Sequence, residues 1–203
     1  MLVFSAHADT GFDFHFLSRR KDHTLFGHLD NFIGVHAVMQ AFFSGRIAND
    51  YTRIVLTKDE EIDMAGAREL VETLSENDLV IAIDVTGAEV ESDIVFEKCA
   101  HPALQAFLRD TMQGLSFEID PGCHDPIASE DEVDIYSQKC PFTCMLGIRV
   151  WGGDYNEGPV FCSPDVIETA VEAICRLCEA FPEFSTYLKP ARKQRGRRKT
   201  KTT

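Results

Sequence analysis

The sequence predicts an α/β protein with a mainly parallel sheet, because apolar segments typical of buried strands alternate with segments typical of amphipathic helices. The clearest strand, DLVIAIDVT (78–86), is a nearly continuous apolar run, the kind that is buried on both faces of a parallel sheet. The chain has 203 residues, 44% of them hydrophobic, which is enough for one domain with a sizeable core.

The elements follow one another in a regular order. A buried strand is predicted at 2–6, and a helix follows that opens at Asp30 and ends near Gly45, where a C-terminal cap belongs. The elements predicted after it are a strand at 51–57, a helix at 63–74, strands at 78–86 and 93–98, a helix at 102–114, strands at 115–120 and 142–150, and a helix at 163–181.

Two helix starts carry recognisable signals. In SEDEVDIYSQK (129–139), Ser129 is the predicted N-cap and Glu132, three residues on, completes a capping box. Pro164 occupies a first-turn position of the long amphipathic C-terminal helix, where its fixed backbone angle suits the helix.

Charge divides the chain into an acidic body and a basic tail. The net charge is −13, yet residues 189–203 contain eight Lys or Arg and no acid, and the remaining 12 basic and 33 acidic residues give residues 1–188 a net charge of −21. An acidic body argues against nucleic-acid binding and suits a protein that concentrates cations. We expect the tail to be disordered, with at most weak contacts to RNA, an acidic partner or the body itself.

The cysteines and the apolar segments indicate the cellular compartment in which the protein is expected. Seven cysteines without regular spacing do not form a disulfide framework, and Cys175 and Cys178 are expected to pack as small apolar side chains. No apolar stretch approaches the roughly 20 residues that span a bilayer, and MLVFSA is too short for a secretory signal. We therefore expect a cytoplasmic protein with no membrane partner.

Acidic residues interrupt the chain where predicted strands end. His7 and Asp9 flank Ala8, so both side chains point to the same side of an extended backbone. The other acids placed in this way are Asp30, Glu60, Glu61 and Asp84. Each alone is typical of a helix cap or a solvated loop, but parallel strands end at one edge, where unpaired carboxylates would repel one another. One or two divalent cations would remove that repulsion.

Four motifs in succession, SAHAD, GHLDNFIG, TKDEEIDMAGA and IAIDVTGA, resemble those of dinuclear zinc exopeptidases. The nearest type is that of the glutamyl and leucyl aminopeptidases, also called the endoglucanase M family. The resemblance covers residues 3–88 well and 143–180 more loosely. It implies a three-layer α/β/α fold with a mainly parallel, mixed sheet, and a minimal catalytic domain at 1–188, because the 22 residues between His7 and Asp30 leave no room for an inserted lid or dimerisation domain.

The resemblance also implies a zinc cofactor, as two ions or as one. By this resemblance, His7 and Asp84 would be ligands of one ion and Glu61 a ligand of the other. Asp30 would bridge the two ions. Asp9 would orient His7, and Glu60 would be the general base that takes a proton from the attacking water. Two metal ions would lower the pKa of that water and polarise the scissile carbonyl.

The last ligand of the family is a histidine, and this chain has Cys162 in its place, in FCSP. A thiolate binds zinc well, so Cys162 is predicted as the fifth metal ligand. Two other interpretations stay open: binding of a single metal ion, or a relic of lost activity. His124, in PGCHDP, is an alternative donor from a loop, although a surface position suits it better.

Together these features predict an aminopeptidase-like hydrolase that cleaves a peptide or amide bond of a small substrate. Peptides with a free N-terminus are the first expected substrates and N-acyl amino acids the second, and a homo-oligomer is compatible with the sequence. The alternative is a catalytically degenerate homologue that binds a metal, a peptide or a partner without turnover.

Overall fold

The computed structural model describes residues 1–47, 50–123 and 130–188. The strands are β1 Leu2–His7, β2 Leu17–Arg19, β3 Leu25–Gly27, β4 Thr52–Thr57, β5 Leu79–Thr86, β6 Ile94–Glu97, β7 Phe117–Ile119, β8 Phe142–Arg149 and β9 Val160–Cys162. The helices are α1 Phe32–Phe43, α2 Ala65–Thr73, α3 Pro102–Thr111, α4 Glu132–Tyr136 and α5 Pro164–Leu188.

Six strands form the main sheet, in the order β4-β1-β5-β8-β6-β7. Strands β4, β1, β5 and β8 run parallel to one another, β6 is antiparallel to β8, and β7 is parallel to β6. This confirms the predicted mainly parallel, mixed sheet. Its parallel half brings the carboxyl ends of β4, β1 and β5 side by side at one edge.

Helices cover both faces of this sheet, which confirms the three layers. On β5, Leu79, Ile81 and Ile83 belong to one buried cluster, which includes residues of α1, α3 and α5. The alternate residues Val80 and Ala82 belong to a second buried cluster, with residues of α2 and α4. The nearly continuous apolar sequence of β5 follows from this arrangement, because both of its faces pack against helices.

A second sheet was not predicted from the sequence. Strands β2, β3 and β9 form it in that order, all antiparallel, and each is three residues long. Strand β9 immediately precedes α5, so this sheet connects the segment after β1 with the start of the C-terminal helix.

Two helix ends differ from the predictions. The capping box of α4 is made by Asp131 and Asp134, because Asp131 accepts a hydrogen bond from the Val133 N–H, at 2.8 Å, and Asp134 from the Asp131 N–H, at 3.2 Å. The predicted cap Ser129 lies outside the described residues. Helix α5 continues past the predicted end at 181, through Pro182, to Leu188.

Three other predictions concern the chain as a whole. None of the seven cysteines, all of which lie in the described residues, forms a disulfide, and Cys175 and Cys178 are buried in the core as expected. In the described part of the chain, no helix is both long enough and apolar enough to cross a membrane. The basic tail, 189–203, lies outside the described residues.

Candidate metal centre

His7 lies at the carboxyl end of β1, between the ends of β4 and β5. Strands on both sides and helices above and below leave the residue only 1% exposed. A buried imidazole needs polar partners. The partners are carboxylates: Asp30 Oδ1 lies 3.1 Å from His7 Nε2, and Asp84 Oδ2 lies 3.4 Å from the same nitrogen.

Asp30 is held there by the residue that follows it. Asn31 caps α1, accepting a hydrogen bond from the Gly34 N–H at 3.1 Å, and its side-chain amide donates to the Ile83 carbonyl of β5 at 2.7 Å. A Cβ at position 34 would lie 2.0 Å from Asn31 Oδ1, so any residue larger than glycine there would displace this cap. The start of α1 is therefore tied to the strand that carries Asp84.

The facing atoms His7 Nε2, Asp30 Oδ1 and Asp84 Oδ2 fit a metal ion better than they fit one another. His7 Nε2 and Asp30 Oδ1 are both buried without a hydrogen bond in the described structure. In a tetrahedral zinc site with bonds of 2.0–2.1 Å, ligand atoms lie about 3.3 Å apart. The distances of 3.1 and 3.4 Å match this spacing, and nitrogen and carboxylate oxygen are donors that zinc accepts.

Glu60 and Glu61 reach the same place from the loop after β4. One ligand atom each of His7, Glu60 and Glu61 lies within 4.8 Å of the other two, and the same holds for His7, Asp30 and Asp84. The loop is fixed by Gly66 of α2, whose N–H donates to the Lys58 carbonyl at 3.0 Å and whose absent Cβ would lie 2.5 Å from Lys58 N.

Asp9 lies beside the cluster, on the opposite side of the imidazole. Its Oδ1 is 3.5 Å from His7 Nδ1, and its Oδ2 accepts a hydrogen bond from the Glu61 N–H at 3.4 Å. A carboxylate on the second ring nitrogen fixes the orientation and tautomer of a metal-binding histidine. Asp9 therefore contacts both His7 and the loop that carries the two glutamates.

The pKa values show how strongly these charges interact. Burial lowers the pKa of His7, but the charges of Asp84 and Asp30 outweigh it and raise the value to about 12. Burial and the charge of Asp84 raise the pKa of Glu60 to about 8, and burial raises that of Asp84 to about 7 despite the neighbouring imidazole. Burial and then Asp30 raise the pKa of Glu61. Without a cation, the cluster therefore retains protons at neutral pH.

The cluster opens into a cavity of about 360 Å³. Four of the predicted residues line it: Asp30, Glu60, Glu61 and Asp84. The residues that sequence reasoning missed are Met64, Val85, Glu130, Asp131, Met145, Tyr155 and Asn156. Of these, the turn WGGDYN after β8 carried a usable signal, because loops at the carboxyl ends of parallel strands commonly line sites.

Cys162 does not join the cluster, contrary to the prediction. It pairs with Leu25 in the small sheet, is 0% exposed in the main hydrophobic core, and its thiol contacts the Arg149 and Ser163 carbonyls at 3.6 and 3.5 Å. Burial raises the pKa of this thiol to about 12, so it stays protonated. Among the described residues it belongs to neither metal-binding group. The alternative donor His124 lies outside them.

No protein-family model and no curated protein matches the sequence. Solved structures do share the fold. The TET aminopeptidase from the marine sediment archaeon Thaumarchaeota archaeon SCGC AB-539-E09 superposes with a TM-score of 0.69 at 12% identity, over 86% of this chain and 55% of that one. For PhTET1-12s, a dodecamer in its asymmetric unit, the TM-score is 0.66 at 15% identity, over 80% and 53%.

An M18-family aminopeptidase from Thermotoga maritima also matches, with a TM-score of 0.60 at 16% identity, over 78% of this chain and 47% of that one. This chain spans about half the length of these neighbours. At such identities the likeness establishes the fold, which is that of TET and M18 aminopeptidases. The narrower resemblance to the glutamyl and leucyl type remains a prediction.

Proposed function

We propose that this protein is a metal-dependent hydrolase that removes the N-terminal residue from small peptides. The observation that carries the proposal is the buried imidazole of His7, with oxygens of Asp30 and Asp84 at 3.1 and 3.4 Å and no hydrogen bond to satisfy its nitrogens. The aminopeptidase fold of the neighbouring structures supports the same activity.

Zinc is the proposed metal. His7, Asp30 and Asp84 would hold one ion. Glu61 would hold a second ion, and Asp30 would contribute to the binding of both. With Cys162 outside the cluster, the second ion has fewer protein ligands than the first, so occupancy by one ion is the simpler expectation. Bound zinc supplies Lewis acidity, which polarises a carbonyl and lowers the pKa of a coordinated water.

The remaining chemistry belongs to carboxylates of the chain. Glu60 is the proposed general base: it lines the cavity, and burial and the charge of Asp84 raise its pKa toward neutrality, which supports a role in proton transfer. Glu60 would take a proton from the attacking water and pass it to the leaving amine. Asp9 would keep the His7 ring in its metal-binding orientation.

Replacement of Glu60 by Gln tests this assignment. The zinc-loaded parent is expected to hydrolyse a panel of aminoacyl amides and dipeptides, and Glu60→Gln to lose about 10²–10⁴-fold in rate while keeping its metal, because only proton transfer is removed. Glu118→Gln, at an exposed position of β7, is the matched control and should keep the parental rate. Equal rates for Glu60→Gln and the parent would refute the mechanism.

A second candidate is a homologue that binds metal or peptide without turnover. The position of Cys162 favours it, since a ligand expected from the resemblance faces the core instead. The same panel separates the two functions. A parent that binds zinc and peptides but releases no product would be a binding protein.

The proposal also covers the assembly, the compartment and the domain bounds of the protein. The dodecameric assembly of PhTET1-12s makes a homo-oligomer the expected state, and the absence of disulfides among the seven cysteines suits the reducing cytoplasm. We propose residues 1–188 as the catalytic domain and 189–203 as a separate basic tail, with N-acyl amino acids as second-choice substrates.

A further inference from the structure

A second cavity adjoins the one at the metal centre. It has a volume of about 460 Å³ and is lined by residues 87–90, after β5, and 149–153, at the end of β8. Val85, two residues before the first segment, and Tyr155, two residues after the second, line the cavity at the metal centre. The two cavities therefore follow one another along the same two segments, at the carboxyl edge of the sheet.

Arg149 lines this second cavity with part of its hydrogen-bonding capacity unused. The residue is half-buried, and its Nη1 donates to the Val90 carbonyl at 2.8 Å, which is the only hydrogen bond of the guanidinium among the described residues. Its Nε is buried and has no partner in that part of the chain. Nε and Nη2 form the edge of the guanidinium that binds a carboxylate through two parallel hydrogen bonds, and this edge is left open.

Arg149 also lacks a counter-ion. Among the described residues no carboxylate lies within ion-pair distance of it, although the chain contains 33 acidic residues. Lys98, in contrast, has Asp131 and Asp134 at 3.1 and 2.6 Å from its Nζ. Glu89 lines the same cavity as Arg149, but it is exposed and forms no ion pair with it in the described structure. An arginine with an open edge and no counter-ion, beside a cavity, indicates an anionic ligand.

The distance from the metal centre indicates which anion this is. Arg149 is paired with Thr86, which lies on the neighbouring strand β5 two residues after Asp84. At about 3.3 Å per residue along a strand and about 4.8 Å between strands, the Cα atoms of Asp84 and Arg149 are about 8 Å apart. Met145 lines the metal-centre cavity four residues before Arg149 on β8, so both side chains point to the same face of the sheet. A peptide extends by up to about 3.5 Å per residue, so one or two residues beyond a bond held at the metal would bring a C-terminal carboxylate to Arg149.

The rest of the lining suits a peptide. Trp151 is 41% exposed and stacks on Phe161, with 6.2 Å between the ring centroids, so it gives the cavity an apolar wall. Gly87, Gly152 and Gly153 add no side chains that would keep a peptide backbone away. An apolar side chain next to the C-terminal carboxylate would pack against Trp151.

We propose that Arg149 binds the C-terminal carboxylate of the substrate, so that the protein acts on dipeptides and tripeptides rather than on longer chains. This proposal rests on the proposed function, because it names the substrate class of that site. The net charge of −21 over residues 1–188 repels carboxylates, so without Arg149 a peptide with a neutral C-terminus would bind at least as well as one with a free carboxylate.

The test is calorimetric binding of two matched compounds to the zinc-loaded full chain at low salt. Both are alanyl-leucine with the peptide C=O reduced to CH₂, so neither can be hydrolysed; one ends in a carboxylate and the other in a primary amide. The carboxylate compound is expected to bind at least about tenfold more tightly, the value of one charged hydrogen bond. Leucine has no side-chain carboxylate, so the difference reports on the C-terminus alone.

Substitutions assign that difference to Arg149. Arg149→Gln removes the charge and should abolish the preference for the carboxylate compound, whereas Arg149→Lys keeps the charge without the planar fork and should retain part of the preference. Arg109→Gln, at an exposed position of α3, is the matched control and should keep the parental ratio. Because Arg149 also donates to the Val90 carbonyl, the thermal unfolding of each variant is compared with that of the parent.

The outcomes separate the role of Arg149 from the proposed function. Equal affinities in the parent, tighter binding of the amide, binding of neither compound, or an unchanged ratio in a folded Arg149→Gln protein would overturn the role of Arg149. A preference for the carboxylate compound without hydrolysis of any dipeptide would contradict only the proposed function. Hydrolysis of dipeptide amides with the same kcat/KM as the free dipeptides would contradict only the role of Arg149.

Discussion

Two polar side chains that the sequence predicts as metal ligands are both buried, yet their surroundings differ. His7, 1% exposed, is surrounded at the carboxyl edge of the parallel sheet by carboxylates that make no hydrogen bonds with it. Cys162, 0% exposed, lies in the small sheet and its thiol faces two backbone carbonyls. Burial alone therefore does not identify a ligand; convergence with other donors does.

The charges around His7 and Cys162 also differ. Around His7, the pKa values of Glu60 and Asp84 are raised by burial, and several like charges share one small volume. The Cys162 thiol is neutral, because its pKa is raised to about 12, and the core around it needs no counter-ion. One region is destabilised until a cation arrives, and the other is stable without one.

Removal of one negative charge from the region around His7 should have the largest effect on zinc affinity. Asp30→Asn keeps the shape of the side chain but takes away the predicted bridging ligand, so zinc affinity should fall by at least about 100-fold. The stability of the metal-free variant should change less than its zinc affinity, because relief of repulsion with the other carboxylates is offset by the loss of a negative charge beside the His7 imidazolium. Zinc titration and thermal unfolding measure the two effects, and unchanged zinc affinity would separate Asp30 from the site.

The second largest effect is expected in the pH dependence of the unfolding free energy of the metal-free protein. Glu60 and Asp84 hold protons up to about pH 8 and 7 in the folded state, but release them near pH 4.5 and 3.8 when unfolded. The folded state thus binds up to two more protons in between, and each contributes about 1.4 kcal/mol per pH unit, so the unfolding free energy of metal-free protein should fall by roughly 2–3 kcal/mol per unit from pH 5 to 8.

His7 acts in the same direction above pH 6.5, because the folded state keeps its proton as well. Urea denaturation in the presence of a chelator measures this slope, and Glu60→Gln should make it shallower. Zinc replaces the protons, so the stabilisation by zinc should grow with pH. Stability that is constant or rises from pH 5 to 8 without metal would contradict the charge repulsion described around His7.

Substitution in the Cys162 region should have the smallest effect on metal binding. Cys162→Val replaces a buried thiol with an apolar side chain of similar size, so the unfolding free energy should change by less than about 1.5 kcal/mol. Zinc affinity should stay at the parental value, because the thiol contacts the Arg149 and Ser163 carbonyls and belongs to neither metal-binding group of the described residues. A loss of zinc in this variant would restore Cys162 as a ligand.

The sequence predicts most of the main sheet because its strands are strongly marked. β5 and β8 are long apolar runs, and five of the predicted polar residues gather where β4, β1 and β5 end, since parallel strands share one edge. The small sheet escapes prediction because its three-residue strands are too short to show a period of two. Its existence determines where Cys162 points.

The sequence signals for the start of α4 and the end of α5 gave wrong positions, because other residues provide a better cap or further packing. Asp131 caps α4 because it directly precedes the first helical residue and finds Asp134 three positions on, which makes a capping box that Ser129 and Glu132 were expected to form. Helix α5 passes Pro182 because Phe184 and Leu188 continue its buried face, and this packing outweighs the hydrogen bond that proline removes.

The central claim is that a divalent metal binds at His7, Asp30 and Asp84 rather than at Cys162. Elemental analysis of protein purified without chelator tests it most directly, with the parent, Asp30→Asn and Cys162→Val prepared side by side. We predict at least one zinc ion per chain in the parent, the same content in Cys162→Val, and loss of zinc in Asp30→Asn. A parent that contains no metal even after zinc is added back, or a Cys162→Val protein that loses its zinc, would contradict the claim.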